Sequence, residues 1–206
     1  MDGSGFTLVE LMALVIMVTF ISALVVPTMV RGRQKTIETT CQSNLKEIGR
    51  AIQAYSEEHG NVLPGPVFPL ARPVLDGYST NELAWFLANR LSSPAATART
   101  NVVLQFLCPA HPFAGSGNKV VADYGLNEGK GLAGPPFGCP SPVRAPLNLT
   151  SLTASASPAG CMALTDADKG NVNPTADGWS TLPYEPIHGR TRNQLFFDWH
   201  VTGKTW

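Results

Sequence analysis

One carboxylate lies inside an otherwise apolar run near the start of the chain. The run extends from Phe6 to Val30, and Glu10 is its one charged residue. An ionised group in a transmembrane segment costs about 3 kcal/mol on insertion scales, so Glu10 is expected to have a partner. Cleavage after Gly5 would leave a cationic amine on Phe6, one helical turn from Glu10. This charge pair, within one chain or between staggered neighbours, is chemistry suited to assembly in a membrane.

The apolar run is long enough to cross a bilayer. At 1.5 Å per residue, a helix over residues 6–30 extends about 37 Å, more than the apolar thickness of a membrane. The small residues Gly3, Ser4 and Gly5 precede the run instead of following it, unlike those of an ordinary signal peptide, so we expect the helix to be retained. We therefore predict a leader at 1–5, a transmembrane and assembly helix at 6–35, and a head at 36–206.

The segment from Gly5 to Glu10, Gly-Phe-Thr-Leu-Val-Glu, resembles the prepilin peptidase site of type IV pilins and type II secretion pseudopilins. The resemblance implies cleavage between Gly5 and Phe6, methylation of the new Phe6 amine, and docking to the neighbouring subunit through Glu10. Pro27 resembles the helix-kinking proline of the family. A proline removes one backbone hydrogen-bond donor and bends a helix, so we expect a kink there.

The charges around the run depart from the family pattern. Residues 1–5 contain no Lys or Arg, whereas family leaders usually carry positive charge. Arg31, Arg33 and Lys35 follow the run, and the positive-inside rule alone would place the head in the cytoplasm. Our interpretation gives the cleavage motif precedence. It predicts a single-pass protein of the inner membrane with a periplasmic head that later joins a periplasmic or cell-surface filament.

An amphipathic helix continues the apolar one. Its apolar stripe has helical spacing, and it consists of Cys41, Leu45, Ile48, Ile52, Tyr55 and His59. Gly60-Asn61 supplies the C-terminal stop. After it we predict a short helix at 81–91 with Thr80 as its cap, and strands at 102–107, 161–165 and 194–197, with a small-residue loop at 151–158. The result is an α+β fold, a long helix packed on a small antiparallel sheet with long loops.

A second resemblance extends over most of the chain. It is to prepilin-type proteins with an H-X9-DG motif near the C-terminus, and its landmarks are Cys41 to Gly49, Cys108-Pro109, Tyr124 to Asn127, and His188 with Asp198. Trp199 stands where that motif has glycine. Because tryptophan reaches positive φ at a cost, we expect another type of turn in a terminal hairpin, with Asp198 capping it. For His188 we expect a hydrogen bond that fixes the preceding loop.

The segment Asp166-Ala-Asp168-Lys-Gly170-Asn171 places oxygen ligands at alternate positions before a glycine, as at the opening of a calcium loop. The glutamate that closes an EF-hand is missing, so a structural calcium site and an Asp-rich turn both stay open. The four histidines lack zinc spacing, since neither His-Glu-x-x-His nor paired Cys-x-x-Cys occurs. Nucleophile and phosphate-loop motifs are also missing, and we expect no enzyme activity and no other cofactor.

Cysteine usage and charge limit the function further. Four cysteines fit an oxidising compartment and permit three full pairings, among which spacing cannot choose; we expect Cys108 to pair with Cys139. For Cys41, a buried thiol or a disulfide to the head is favoured over a reactive thiol. Fifteen basic and fifteen acidic residues give no net charge, so no nucleic-acid partner is expected.

Two functions fit these observations. The first is a filament subunit, with itself or other pilin-like subunits, the prepilin peptidase and an inner-membrane assembly platform as partners. The second is a membrane-anchored extracytoplasmic module that binds a ligand. Glu10 favours the filament, because a simple membrane anchor has no use for a carboxylate beside a newly freed amine.

Overall fold

The computed structural model describes residues 7–73, 75, 80–91, 102–111, 122–130 and 132–205. The chain forms two compact units, Met1–Ile37 and Glu38–Trp206. Helix α1, Leu8–Glu58, contributes residues to both. The architecture is α+β, a long N-terminal helix and a small antiparallel sheet, as the sequence predicts.

The first unit contains the apolar half of α1. All side chains from Thr7 to Val26 are exposed. Between Leu8 and Met29, fifteen large apolar side chains are exposed. By length and composition this helix can cross a membrane. The helix continues through position 27, so the kink expected at Pro27 stays a prediction.

Helix α1 ends where the sequence predicts. Gly60 and Asn61 both have a φ of 65°. The N–H group of Asn61 donates to the carbonyl oxygen of Ser56 at 2.7 Å. This bond and the left-handed Gly60 form a Schellman-type end, which satisfies a carbonyl group of the last helical turn.

The second unit contains a five-stranded antiparallel sheet. Its order is β1-β2-β5-β6-β7, and the strands are β1 Leu70–Ala71, β2 Tyr124–Leu126, β5 Met162–Asp166, β6 Thr191–Phe196 and β7 Val201–Thr205. Strands β3, Cys139–Pro140, and β4, Val143–Arg144, form a separate hairpin. In the central pair, Leu164 lies opposite Leu195.

The core of this unit forms between the amphipathic half of α1 and the sheet. Cys41, Leu45, Ile48 and Ile52 of the predicted stripe are all fully buried. Sheet residues from β2, β5 and β6 complete the same apolar cluster, among them Tyr124, Leu164 and Leu195. The helical period thus identifies the buried face of α1, while Tyr55 is half-buried and His59 is exposed.

Three local predictions are wrong. The segment at 102–107 forms a 3-10 turn, Leu104–Phe106, instead of a strand. The expected loop at 151–158 contains helix α3, Leu149–Ser155, whose N-cap Asn148 accepts the Thr150 N–H. Helix α2, Leu83–Leu87, begins after Glu82, so Thr80 is not its cap.

The terminal hairpin joins β6 to β7 through a loop centred on residues 197–199. Trp199 N–H donates to the Phe196 carbonyl at 2.9 Å, and Phe196 N–H donates to the His200 carbonyl at 3.0 Å. Trp199 has a φ of 67°. The turn therefore has the positive φ that glycine usually supplies, with Trp199 at that position. The expectation of another turn type is wrong.

Candidate functional site

The start of α1 is closed by a reciprocal pair of side chains. The Thr7 hydroxyl accepts the Glu10 N–H at 3.3 Å, while Glu10 Oε2 accepts the Thr7 N–H and the Thr7 hydroxyl, each at 2.9 Å. This is a capping box, which satisfies two of the N–H groups that a helix leaves open at its start. The Thr-x-x-Glu spacing that indicates a capping box is present in the sequence, although the box was not predicted.

The capping box gives Glu10 a second role beside the predicted one in assembly. Gly5 and Phe6 lie outside the described residues, so the cleavage site and the pairing of the Phe6 amine with Glu10 stay predictions. In the chain as described, the Glu10 carboxylate already accepts two hydrogen bonds from Thr7. A test of the assembly role must therefore separate the charge of Glu10 from its capping geometry.

The expected disulfide between Cys108 and Cys139 is wrong. Cys108 is bonded to Cys41, and the bond joins α1 to the segment that follows the 3-10 turn. Cys139 is a free thiol that donates to the Ser141 carbonyl at 3.2 Å, and Cys161 is free and buried. The disulfide from Cys41 to the head was one of the two alternatives that its position on the stripe favoured.

A buried polar cluster surrounds this disulfide. Asp123 Oδ2 accepts the Cys108 N–H at 2.5 Å, and Asp123 Oδ1 lies 3.7 Å from His111 Nδ1. On the other side, His188 Nε2 lies 3.3 Å from Cys108 Sγ and 3.7 Å from Asp166 Oδ2. Two carboxyl groups and two imidazoles thus lie inside the head, next to a sulfur pair.

Burial disfavours the charged forms of these groups. It raises the pKa of Asp123 to about 7 although the Cys108 N–H acts in the opposite direction. It also raises the pKa of Asp166 to about 7, against hydrogen bonds from Asn193. The pKa of His111 is lowered by burial, as is that of His188, where the charge of Glu38 acts in the opposite direction. The neutral imidazole is therefore the favoured form of both histidines.

The predicted calcium segment forms a hydrogen-bonded turn. Both carboxylate oxygens of Asp168 accept from the Arg192 guanidinium, with Arg192 Nη2 at 2.7 Å from Oδ1. Asn171 Oδ1 accepts the Asp168 N–H at 2.9 Å, and Gly170 N–H donates to Asp168 Oδ1 at 2.7 Å. Asp166 Oδ2 instead accepts the Asn193 N–H in the interior. Because the Arg192 guanidinium already pairs with both carboxylate oxygens of Asp168, the geometry favours the Asp-rich turn over a calcium site.

The two ends of the histidine-aspartate motif have separate partners. Asp198 Oδ1 accepts from the His200 N–H at 3.2 Å and lies 2.5 Å from His200 Nδ1, so Asp198 caps the turn as predicted. His188 forms an isolated bridge with Thr191 and directs its imidazole at the disulfide and Asp166. His188 thus fixes the loop before β6, as expected, through partners that its spacing from Asp198 does not reveal.

The ligand atoms of Cys41, Cys108 and His188 lie within 4.8 Å of one another. The sequence does not indicate a zinc site here, because zinc motifs have ligands at short spacing, whereas these residues are far apart in the chain. Cys41 on the helical stripe and Cys108 beside a proline were the available signals.

Comparison with known proteins finds no matching family model, no matching curated protein and no matching solved structure.

Proposed function

We propose that this chain is a structural subunit, a pseudopilin or pilin, of a type II secretion or type IV pilus-like filament. The observation that supports this proposal is helix α1. Its first half is apolar and exposed, whereas its second half buries one apolar face in an α+β head. Exposed apolar side chains along a helix need a membrane or neighbouring helices to cover them.

The proposal assigns the partners and the location of the chain. Prepilin peptidase would cleave between Gly5 and Phe6, and the inner-membrane assembly platform would take up the processed chain. Apolar helices of like subunits would then pack at the centre of the filament, with their heads outside. Within that bundle, the Glu10 carboxylate would pair with the Phe6 amine of its own chain or of a neighbour.

Replacing Glu10 tests the proposal, because two substitutions separate its charge from its cap. Glu10→Gln removes the charge and keeps an oxygen that can accept from Thr7, as glutamine does in other capping boxes. Glu10→Ala removes both. Neither substitution should impair membrane insertion, since each takes a charge out of the apolar run.

We expect both variants to be cleaved after Gly5 and to lose filament yield by at least about tenfold, the effect of losing about 1.4 kcal/mol at each docking step. The measurements are mass spectrometry of the N-terminus and electron microscopy of sheared filaments with quantitative blotting. Glu57→Gln is the matched control, on the exposed surface of the same helix, and should assemble normally. Wild-type yield from Glu10→Gln would limit Glu10 to capping; an uncleaved wild-type chain would overturn the proposal itself.

The alternative, a membrane-anchored ligand-binding module, has one structural feature in its favour. A groove of about 990 Å³ extends over the sheet, with Gly125, Thr165, Gln194 and Thr202 among its lining residues. Its size is within the range of small-molecule sites. A binding module would keep its function in Glu10→Gln and would form no filaments, so the same experiment distinguishes the two functions.

A further inference from the structure

We propose that reduction of the Cys41–Cys108 disulfide creates a zinc site, in which the two thiolates and the His188 imidazole bind one ion. This inference goes beyond the filament function and does not depend on it. It concerns a second state of the head, in which a metal ion replaces the covalent bond between α1 and Cys108.

Three ligand atoms lie close enough together to bind one tetrahedral ion. Zinc bonds of about 2.3 Å to sulfur and about 2.0 to 2.1 Å to nitrogen place neighbouring ligand atoms about 3.5 to 3.8 Å apart. His188 Nε2 lies 3.3 Å from Cys108 Sγ and 3.7 Å from Asp166 Oδ2. The sulfur of Cys41 lies within 4.8 Å of both the Cys108 sulfur and the ligand nitrogen of His188. After the sulfur bond breaks, the two sulfurs have to separate, which rotation of the cysteine side chains allows.

The donor set selects the class of ion. Two thiolates and one imidazole favour zinc over calcium or magnesium, which prefer oxygen ligands. The His188 side chain is 4% exposed and that of Asp166 is 1% exposed, while both cysteines are fully buried. Three buried protein ligands leave the fourth position of a tetrahedral ion to a water molecule.

The surroundings hold these ligands in place before any ion binds. The Cys108 N–H is bonded to Asp123, and Asp166 Oδ2 accepts the Asn193 N–H at 2.7 Å. His188 is bridged to Thr191. Without a cation the two buried cysteines stay protonated as neutral thiols, whereas a divalent ion compensates the charge of the two thiolates that bind it.

The redox step balances with a dithiol as reductant. The dithiol supplies two electrons and two protons, the sulfur bond between Cys41 and Cys108 breaks to give two thiols, and the reductant becomes a disulfide. Zinc binding then releases the two thiol protons to solvent. A disulfide oxidant reverses the sequence: it accepts two electrons and two protons, and zinc leaves as the bond between the cysteines forms again.

The test uses the full chain in detergent micelles, either oxidised or reduced with a trialkylphosphine, which becomes the phosphine oxide. Each form is incubated with zinc and desalted, and zinc per chain is measured by atomic emission. We expect one ion per reduced chain, none per oxidised chain, and a higher melting temperature for the zinc-loaded reduced chain than for the metal-free one. In the reduced chain, cobalt should give the absorption of a tetrahedral thiolate complex.

Matched variants assign the ligands. His188→Ala should weaken zinc binding by more than about tenfold, measured by competition with a chelating dye, whereas His59→Ala and Cys139→Ser should bind as the parent does. Less than stoichiometric zinc in the reduced parent, or equal zinc in both redox forms, would overturn the proposal. So would parental affinity in His188→Ala, or a reduced parent that stays unfolded in zinc by near-ultraviolet circular dichroism.

Discussion

Trp199 adopts a backbone conformation that usually belongs to glycine. A φ of 67° places it in the left-handed region, which costs a side-chain-bearing residue about 1 to 2 kcal/mol. The indole compensates by packing. It lies edge-on to Phe197 at 6.2 Å between ring centroids and contacts the main apolar cluster. On α1, Gly49 lies against the same region: a Cβ there would lie 3.0 Å from Leu195 Cδ1, a tight contact, and 3.5 Å from the Trp199 ring, an ordinary one.

We predict that Trp199→Gly is more stable than Trp199→Ala by about 1 kcal/mol, because both variants lose the indole and only glycine adopts positive φ freely. Both should be less stable than the parent, since a packed aromatic ring is lost. Denaturant unfolding of the full chain in detergent, followed by circular dichroism, measures the difference. Equal stability of the two variants would mean that the backbone relaxes to another turn, and the strain would then be absent.

Local residue chemistry could be predicted wherever the partner is near in the chain. Asp198 as the cap of its turn followed from the tendency of aspartate to accept from the N–H two residues later. The backbone of Trp199 could not be predicted, because the packing that offsets its cost comes from the main apolar cluster, which residues distant in the chain form together. The same holds for Cys41 and Cys108, whose pairing depends on how the loop after the 3-10 turn approaches the helix.

At the scale of elements, periodicity predicted the long pieces and failed on the short ones. The stripe from Cys41 to Ile52 repeats over several turns, so tertiary contacts and local pattern agree. The apolar burst at 102–107 was too short to separate a strand from a single 3-10 turn. Helix α3 was missed because small residues dominate it, although Asn148 is a good N-cap.

The disulfide joins α1, whose sequence strongly favours a helix, to a loop whose sequence has little preference for regular structure. It closes a loop with a sequence separation of 67 residues, so chain entropy predicts that it stabilises the head by about 4 kcal/mol. We predict a loss of that order in the double variant Cys41→Ser, Cys108→Ser, measured by denaturant unfolding with chelator present. Cys139→Ser is the control and should unfold as the parent does, because Cys139 is a free, half-buried thiol. A double variant as stable as the parent would contradict the entropic account.

For the whole molecule, one feature of the sequence and one of the structure disagree about topology. Arg31, Arg33 and Lys35 follow the apolar run, and the positive-inside rule places such charges, and the head after them, in the cytoplasm. The disulfide favours the opposite side, because structural disulfides form and persist in oxidising compartments. The bond lies only a few residues beyond those charges, at Cys41, so the two features concern the same end of the head.

The redox state of the head in living cells decides between these topologies. We predict that Cys41 and Cys108 are oxidised in wild-type cells and reduced in cells that lack the periplasmic thiol oxidase. Cells are quenched with acid, free thiols are blocked, the protein is reduced and newly exposed thiols are labelled with a second reagent for peptide mass spectrometry. Cys139 provides an internal control, because it is a free thiol in the structure and should carry the first reagent in both strains. Cys41 and Cys108 carrying the first reagent in wild-type cells would place the head in the cytoplasm. That result would contradict the proposed filament subunit, whose head lies in the periplasm.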